Sequence, residues 1–369
     1  MSVADLALQR NKYKHLSDDE WRWLLQQVEG RERTADKLPT FAAIDDWWYP
    51  VRLSCEQCSS EETARYKASL VSGEKMADLT GGYGVDTYFL SDSFSSTDYV
   101  EQNTELCRIA AHNFSNKPIT IHNSTAEEFL QTAGQYDLIF IDPARRDSHG
   151  GKVFRLEDCT PNVVELLPTL LAHGKRLMIK LSPMLDLTQA VKELSQVKWD
   201  IHIAAVKNEV KELLLLSGGT GQITAIDLAK KDQAFVYSRE EEADCPSDIG
   251  HLLLNIGHFL YEPNAAIVKA GAYKLVGARF GLQKLDVNTH LYCLDTFVEN
   301  FPGRVWRIKN EGTKGERLKG EQANVLCRNY PLTPEQLKKK LHLRDGGTAY
   351  VIGCKVAGKP MILYAERLA

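Results

Sequence analysis

The chain has no apolar run approaching the length that spans a bilayer, which excludes a helical membrane protein and leaves the expectation of a soluble one. Its eight cysteines contain a single C-x-x-C pair, Cys55 and Cys58, with no second pair and no histidine at ligand spacing. Such a site lacks half of a structural zinc shell, so no metal is expected and the thiols read as reduced and structural. The opening residues, MSVADLALQRNKYKHLSDDE, have no apolar stretch of the secretory kind and carry acids that a transit peptide avoids. A cytoplasmic protein is expected. Internal repeats and low-complexity tracts are also missing.

What is present is ordinary in bulk and uneven in place. Apolar residues at 43% and charged residues at 25% are globular values, and 369 residues exceed what one core organises, so two to four domains are expected. Net charge is −4, but residues 303–369 hold 14 Lys and Arg against 6 Asp and Glu, a local +8 on a body of −12. A basic tail domain of this kind points to nucleic acid, with a solvated basic face as the plain alternative.

Residues 1–72 read as a helical front piece. Ser17 and Glu20 have capping-box spacing ahead of EWRWLLQQVEG, which Gly30 would stop; a second helix starts near Ser59 or Ser60, with Ser59 and Glu62 at the same spacing, and runs to Gly73. Residues 73–228 alternate short apolar runs with helix-length segments, the pattern of a parallel α/β sheet. The runs are KMADL, STDYVE, ITIHN, YDLIFIDP, KRLMIKL, WDIHIAAV and KELLLLSG, with QITAIDL extending the sheet edge or opening the next piece. Only KNEV separates the last two full runs, which demands an antiparallel hairpin. Residues 229–298 read as a surface excursion, KKDQAFVYSREEEADCPSD, and a small α+β unit whose helix Pro263 opens and Gly281 stops. Residues 299–369 form the basic domain: strands GRVWRIKN, TAYVIGCKV and KPMILYAERL around a helix capped by Thr333 and Gln336 and opened by Pro334.

MADLTGGYGVDTYFL is a strand, a glycine turn and the start of a helix, a geometry that brings backbone N–H groups against a bound ligand. Asp78 ends the strand, Gly82 and Gly84 form the turn, and Glu101 ends the next strand, where a carboxylate can accept from both ribose hydroxyls. Thr87 stands where the third glycine of a dinucleotide fingerprint belongs, so NAD is disfavoured. The D-x-x-x-G-x-G turn, the later acid and the terminal hairpin resemble the class I S-adenosylmethionine-dependent methyltransferases, whose Rossmann-like seven-stranded sheet has an antiparallel last strand. The resemblance implies S-adenosylmethionine as cofactor. Asp78, Thr80, Gly82 and Gly84 would border its methionine end, Glu101 its ribose, and Ser124 and Thr125 the adenine edge. Ser124 and Glu127 have capping-box spacing.

The fourth run ends in Asp142-Pro143-Ala144-Arg145-Arg146. This resembles the D-P-P-[Y/F] motif of amino-methylating members, which implies Asp142 and Pro143 as catalytic residues at the cofactor's edge, accepting hydrogen bonds from an exocyclic amine. Ala144 and Arg145 replace the second proline and the stacking aromatic. Arg145 and Arg146 would then bind substrate, since guanidinium planes stack on bases and grip phosphate, or pair with Asp147 and Glu157 instead; Lys180, at the carboxyl end of the fifth run, would meet a substrate phosphate, with a solvated strand end as the alternative. Cys159 carries no motif of a nucleophile. EQCSSEETARYKASL, DLTGG, DPARR, YEPNAAIVKAGAYKL, FPGRVWRI and NYPLTPEQLKKKL resemble a bacterial methyltransferase group with a THUMP-like C-terminal domain across nearly the whole chain. That implies RNA, commonly tRNA, as partner of the basic domain, and a front helix whose Thr63, Tyr66 and Lys67 close over the cofactor's carboxylate, with a helix packed on the sheet edge as the alternative for each of them. The function expected is RNA methylation; the alternatives are a non-catalytic RNA-binding protein retaining the fold, or methylation of a small molecule or protein. Acceptor atom, target RNA and oligomeric state are not legible.

Overall fold

Every apolar run of the central segment forms a strand in the computed structural model, which describes residues 2–145, 156–246, 257–311 and 321–368. The strands are β1 (Gly73–Asp78), β2 (Phe94–Glu101), β3 (Ile119–Asn123), β4 (Tyr136–Ile141), β5 (Gly174–Leu181), β6 (Trp199–Val206) and β7 (Glu209–Ser217). The chain divides into two compact units, residues 1–200 with 211–220 and residues 201–210 with 221–369.

In the first unit the strand order is β7-β5-β4-β1-β2-β3. β1 to β5 are parallel, and β7 runs antiparallel beside β5, with Met178 opposite Leu216. Both faces of such a sheet are covered, which is why β4 and β5 read as nearly unbroken apolar runs: Leu138, Ile139, Phe140, Leu177, Met178 and Ile179 are all at most 1% exposed. A parallel sheet aligns the carboxyl ends of its strands on one edge, and there the glycine turn, Glu101, Ser124 and Asp142 emerge.

The front piece is helical as its capping spacing predicts, with two local corrections. Ser17 and Glu20 form their capping box, but the helix Asp18–Thr34 continues through Gly30. A Cβ there would lie 2.3 Å from Tyr49 Cβ, so this glycine permits close packing rather than a stop. The helix Glu61–Ser69 is capped by Ser60, which accepts from Thr63 N, while Ser59 donates to Asp86 instead. Pro50 breaks the chain after Trp47, which stacks on Phe41 at 4.0 Å and donates from Nε1 to Tyr83 Oη at 2.8 Å.

In the second unit β6 pairs in parallel with β8 (Gln222–Asp227), so QITAIDL is a sheet strand. Lys207 and Asn208 both take positive φ, the two-residue geometry that hairpins favour, and Asp227 accepts from both of their N–H groups. The excursion expected after residue 229 is partly regular: β9 (Phe235–Ser238) pairs with β8, and a capped helix Arg239–Asp244 follows. A second sheet orders β11-β12-β10-β13-β16-β15-β14, from β10 (Phe259–Pro263), β11 (Gln283–Asp286), β12 (Thr289–Leu294), β13 (Gly303–Glu311), β14 (Asn324–Arg328), β15 (Ala349–Val356) and β16 (Lys359–Arg367). Pro263 ends β10 instead of opening a helix. Asn264 caps Ala265–Ala270, Gly271 at φ +85 ends it, and Tyr273–Phe280 is a separate helix. Thr333 and Gln336 cap the helix Pro334–Lys340 as their spacing requires.

Candidate functional site

A cleft of about 1240 Å³ opens at the carboxyl edge of the first unit's sheet. Residues from the glycine turn, the ends of β2 to β5 and the front segment 53–59 line it. Among the sequence-selected residues, Asp78, Thr80, Gly82, Gly84, Glu101, Ser124, Thr125, Asp142, Pro143 and Lys180 all reach this lining.

The turn is built from a buried acid outward. Asp78 is 1% exposed and accepts from Thr87 Oγ1 at 2.5 Å and from Thr80 N at 3.0 Å. Burial raises its carboxyl from the ordinary range to about 7, against the lowering effect of those two donors. Gly84, at φ +84, starts the helix Val85–Leu90, and a Cβ on it would stand 2.4 Å from the Phe114 ring. Only glycine meets both conditions. Gly82 also takes positive φ, and a Cβ there would meet nothing nearer than Thr80 O at 3.8 Å. It is the open point of the turn, which a side chain would fill.

Glu101 holds the turn from the next strand. Its Oε2 accepts from Gly82 N at 2.9 Å and its Oε1 from Asn103 N at 2.7 Å, which orients the carboxylate and leaves a lone pair on each oxygen for a ligand. Beyond β3, the capping box is Thr125 with Glu128, one residue later than Ser124 and Glu127: both pairs satisfy the spacing, and the chain uses the second. Ser124 Oγ donates to Thr125 O at 3.0 Å.

Asp142 follows β4 directly. Its N–H donates to Thr80 Oγ1 at 2.7 Å, tying the fourth strand's end to the turn, and its Oδ2 accepts from Lys180 Nζ at 2.6 Å. Lys180 also donates to Ser59 Oγ at 3.0 Å and Asp86 Oδ2 at 3.3 Å, so its ammonium is committed within the protein rather than offered to a phosphate. Burial disfavours that charge, but Asp142, Asp86 and Glu212 outweigh burial and hold its pKa well above the usual lysine range. Asp86 is held at about 2 in the same way: burial would raise it, and Lys67 and Lys180 overcome that.

Sequence reading missed this cluster, and Leu53, Ser54 and Gln57 of the front segment as lining residues. Thr63, Tyr66 and Lys67, read either as closing over the cofactor or as packed within the protein, are buried off the lining, and Lys67, 0% exposed, donates to both carboxylate oxygens of Glu212 at 2.7 and 2.6 Å. The main chain of Ala144 and Arg145 pairs with Thr160 and Cys159, while the Arg145 side chain, Arg146 and Asp147 lie outside the described residues. Cys55 and Cys58 stand on the front segment, where burial pushes the Cys55 thiol up to about 12. Among the described residues no group of His, Cys, Asp and Glu could hold a metal ion, and no helix is long and apolar enough to cross a membrane.

The crystal structure of a protein from Porphyromonas gingivalis W83 described as a methyltransferase superposes on 96% of this chain and 92% of its own, with 31% identity and a TM-score of 0.85. Two relatives from Mycobacterium tuberculosis strains, named as uncharacterised S-adenosylmethionine-dependent methyltransferases, are each 23% identical over 341 residues, 89% of this chain and 91% of theirs. The chain belongs to the S-adenosylmethionine-dependent methyltransferases. Within this methyltransferase, a ferredoxin-like domain profile matches residues 259–302 and a THUMP domain-like profile residues 303–367. The cleft fits the family's cofactor: an open glycine turn, an oriented carboxylate with free lone pairs at the tip of β2, and hydroxyl groups at the tip of β3.

Proposed function

We propose that this enzyme methylates a base of RNA, with tRNA as the leading class of target, in the cytoplasm. The observation that carries the reading is the meeting of Asp142-Pro143 with the glycine turn and Glu101 in one cleft, through the Thr80 bond to Asp142 N. Gly82 and Gly84 let the turn approach the donor, Glu101 holds its ribose hydroxyls, and Ser124 and Thr125 face its adenine edge. When bound, S-adenosylmethionine supplies an electrophilic methyl group. Asp142 and the adjoining backbone carbonyl accept from an exocyclic amine and aim its lone pair at that group, so positioning supplies most of the acceleration. Transfer would release S-adenosylhomocysteine, and the methylated amine loses its proton to water, which reaches the 36% exposed Asp142 side chain.

Residues 73–228 do this chemistry in our reading, and residues 299–369 grip the RNA. The +8 charge of residues 303–369 and their match to a THUMP domain-like profile support the second role. Lys339 and Lys340 are exposed at the end of the helix Pro334–Lys340, where cations also complement the helix dipole. Mass spectrometry of nucleosides from RNA of a deletion strain against its parent tests the function. The expected result is one methylated nucleoside missing and restored by the wild-type gene but not by Asp142→Ala. Identical nucleoside profiles would overturn the RNA reading and favour a small-molecule or protein acceptor.

A further inference from the structure

Five charged side chains alternate in sign along one path through the first unit: Glu212, Lys67, Asp86, Lys180 and Asp142. Lys67 Nζ lies 2.6 Å from Glu212 and 3.1 Å from Asp86 Oδ1; Lys180 Nζ lies 3.3 Å from Asp86 Oδ2 and 2.6 Å from Asp142 Oδ2. Side-chain exposure is at most 3% at Glu212 and Lys67 and reaches 36% at Asp142. The dry end is held by the protein alone, and the wet end is the residue proposed to receive the methyl acceptor. Asp86 is the only acid of the five that touches both lysines, and Ser59 Oγ adds a bond to its Oδ2 at 2.7 Å.

This arrangement leaves Asp142 with one assignment. Among the described residues Lys180 bonds Oδ2, Thr80 takes the backbone N–H and no bond reaches Oδ1, so Oδ1, with both lone pairs unused and its charge undrawn by the ammonium, is the better acceptor for an incoming amine. A carboxylate without Lys180 would rotate freely between two equivalent oxygens at a partly exposed position. We propose that Asp86 is a positioning residue for methyl transfer: by holding Lys180 beside Asp142 it fixes which oxygen, in which direction, meets the acceptor. Asp86 stands two residues beyond Gly84, so the turn that approaches the donor and the group that aims the acceptor belong to one short segment. The inference rests on the methyltransferase reading of the cleft and adds a residue to it.

Asp86→Asn tests it, because the amide keeps the shape and can still bond Ser59 while removing the charge shared by the lysines. Three measurements go together: calorimetric binding of S-adenosylhomocysteine, transfer of labelled methyl groups to total RNA from the deletion strain, and the 13Cγ resonance of Asp142, assigned by its loss in Asp142→Asn. The expected result is S-adenosylhomocysteine binding within about threefold of wild type, transfer reduced on the order of a hundredfold, and a displaced Asp142 resonance. An unmoved resonance with unchanged transfer overturns the proposal, and so does a loss of transfer that only follows lost S-adenosylhomocysteine binding. Should Asp86→Asn fail to fold, Lys180→Met and Lys180→Arg replace it: transfer lost in the first and largely restored in the second supports the role, and wild-type transfer in the first overturns it. Wild-type protein that labels no RNA refutes the RNA substrate, and the Asp142 resonance in Asp86→Asn and Lys180→Met still decides the positioning claim, displacement supporting it and stillness overturning it.

Discussion

Replacing Glu101 separates the ligand role of its carboxylate from its structural one. Glu101 accepts from the N–H groups of Gly82 and Asn103 at 2.9 and 2.7 Å, so Glu101→Ala orphans two donors beside the cleft. Both sit where water can reach them, which limits the structural loss to about 1–2 kcal/mol. The ligand loss is larger. Two hydrogen bonds from ribose hydroxyls to a carboxylate are each worth about 1.5–3 kcal/mol, so binding should weaken by about 3 kcal/mol or more, on the order of a hundredfold in Kd. Glu101→Gln keeps one acceptor oxygen and should lose about half of that free energy. Titration calorimetry with S-adenosylhomocysteine gives Kd directly, and thermal melting with and without ligand gives the linked stabilisation. If Glu101→Ala binds within about twofold of wild type while its unliganded melting temperature falls, the carboxylate only braces the turn and the ribose assignment is wrong.

Lys67→Met strands Glu212 in the core and leaves Asp86 only Lys180 and Ser59, so it should destabilise the protein by about 3–5 kcal/mol, read from urea unfolding; an unchanged midpoint would remove the cluster from the stability account. Gly84→Ala must place a Cβ against Phe114 at φ +84 and should cost about 2 kcal/mol or more, with a smaller loss in the double variant Gly84→Ala, Phe114→Leu. Two acids set opposite pH dependences. The folded state holds the Asp78 proton up to about 7, above the unfolded value of 3.8, so this group's stability contribution declines as pH rises from about 4 to 7; Asp86, at about 2, contributes above its unfolded 3.8 and loses that contribution as pH falls towards 2. Asp78→Asn should flatten the first decline in unfolding free energy against pH, and a variant profile parallel to wild type would refute the burial argument. Charge reversal at Lys339 and Lys340 should lower the salt dependence of RNA binding by roughly two phosphate contacts, with no change in S-adenosylhomocysteine affinity; an unaltered slope would place the RNA elsewhere.

The strands were legible because burial on both faces writes itself as an apolar run; β4 and β5 show it with no polar interruption in their central residues. The positions of Asp78, Glu101 and Asp142 at strand ends followed from the same runs, since a parallel sheet puts those ends together. Capping was legible only to one residue. Ser124-Thr125 and Ser59-Ser60 each offer neighbouring hydroxyls at acceptable spacing, and tertiary bonds choose: Ser59 is drawn away by Asp86, which leaves Ser60 to cap. Gly30 looked like a helix stop because sequence does not reveal that Tyr49 needs its space. The charge path was not readable at all. Lys67 and Glu212 meet across 145 residues of chain, and a lysine near a helix end gives no local sign that its partner is buried on β7.

Tyr83 stands between the two positive-φ glycines, and its hydroxyl accepts from the indole of Trp47, itself stacked on Phe41. An indole's emission responds to the hydrogen bond its nitrogen makes and to rings within contact. Trp47 is thus a built-in optical reporter on the turn, reachable without a label. The chain's other five tryptophans supply a constant background, and Trp47→Phe provides the difference spectrum. Ligand entering beside Gly82 would be visible from the far side of the turn, in stopped-flow time, before any acceptor has been identified.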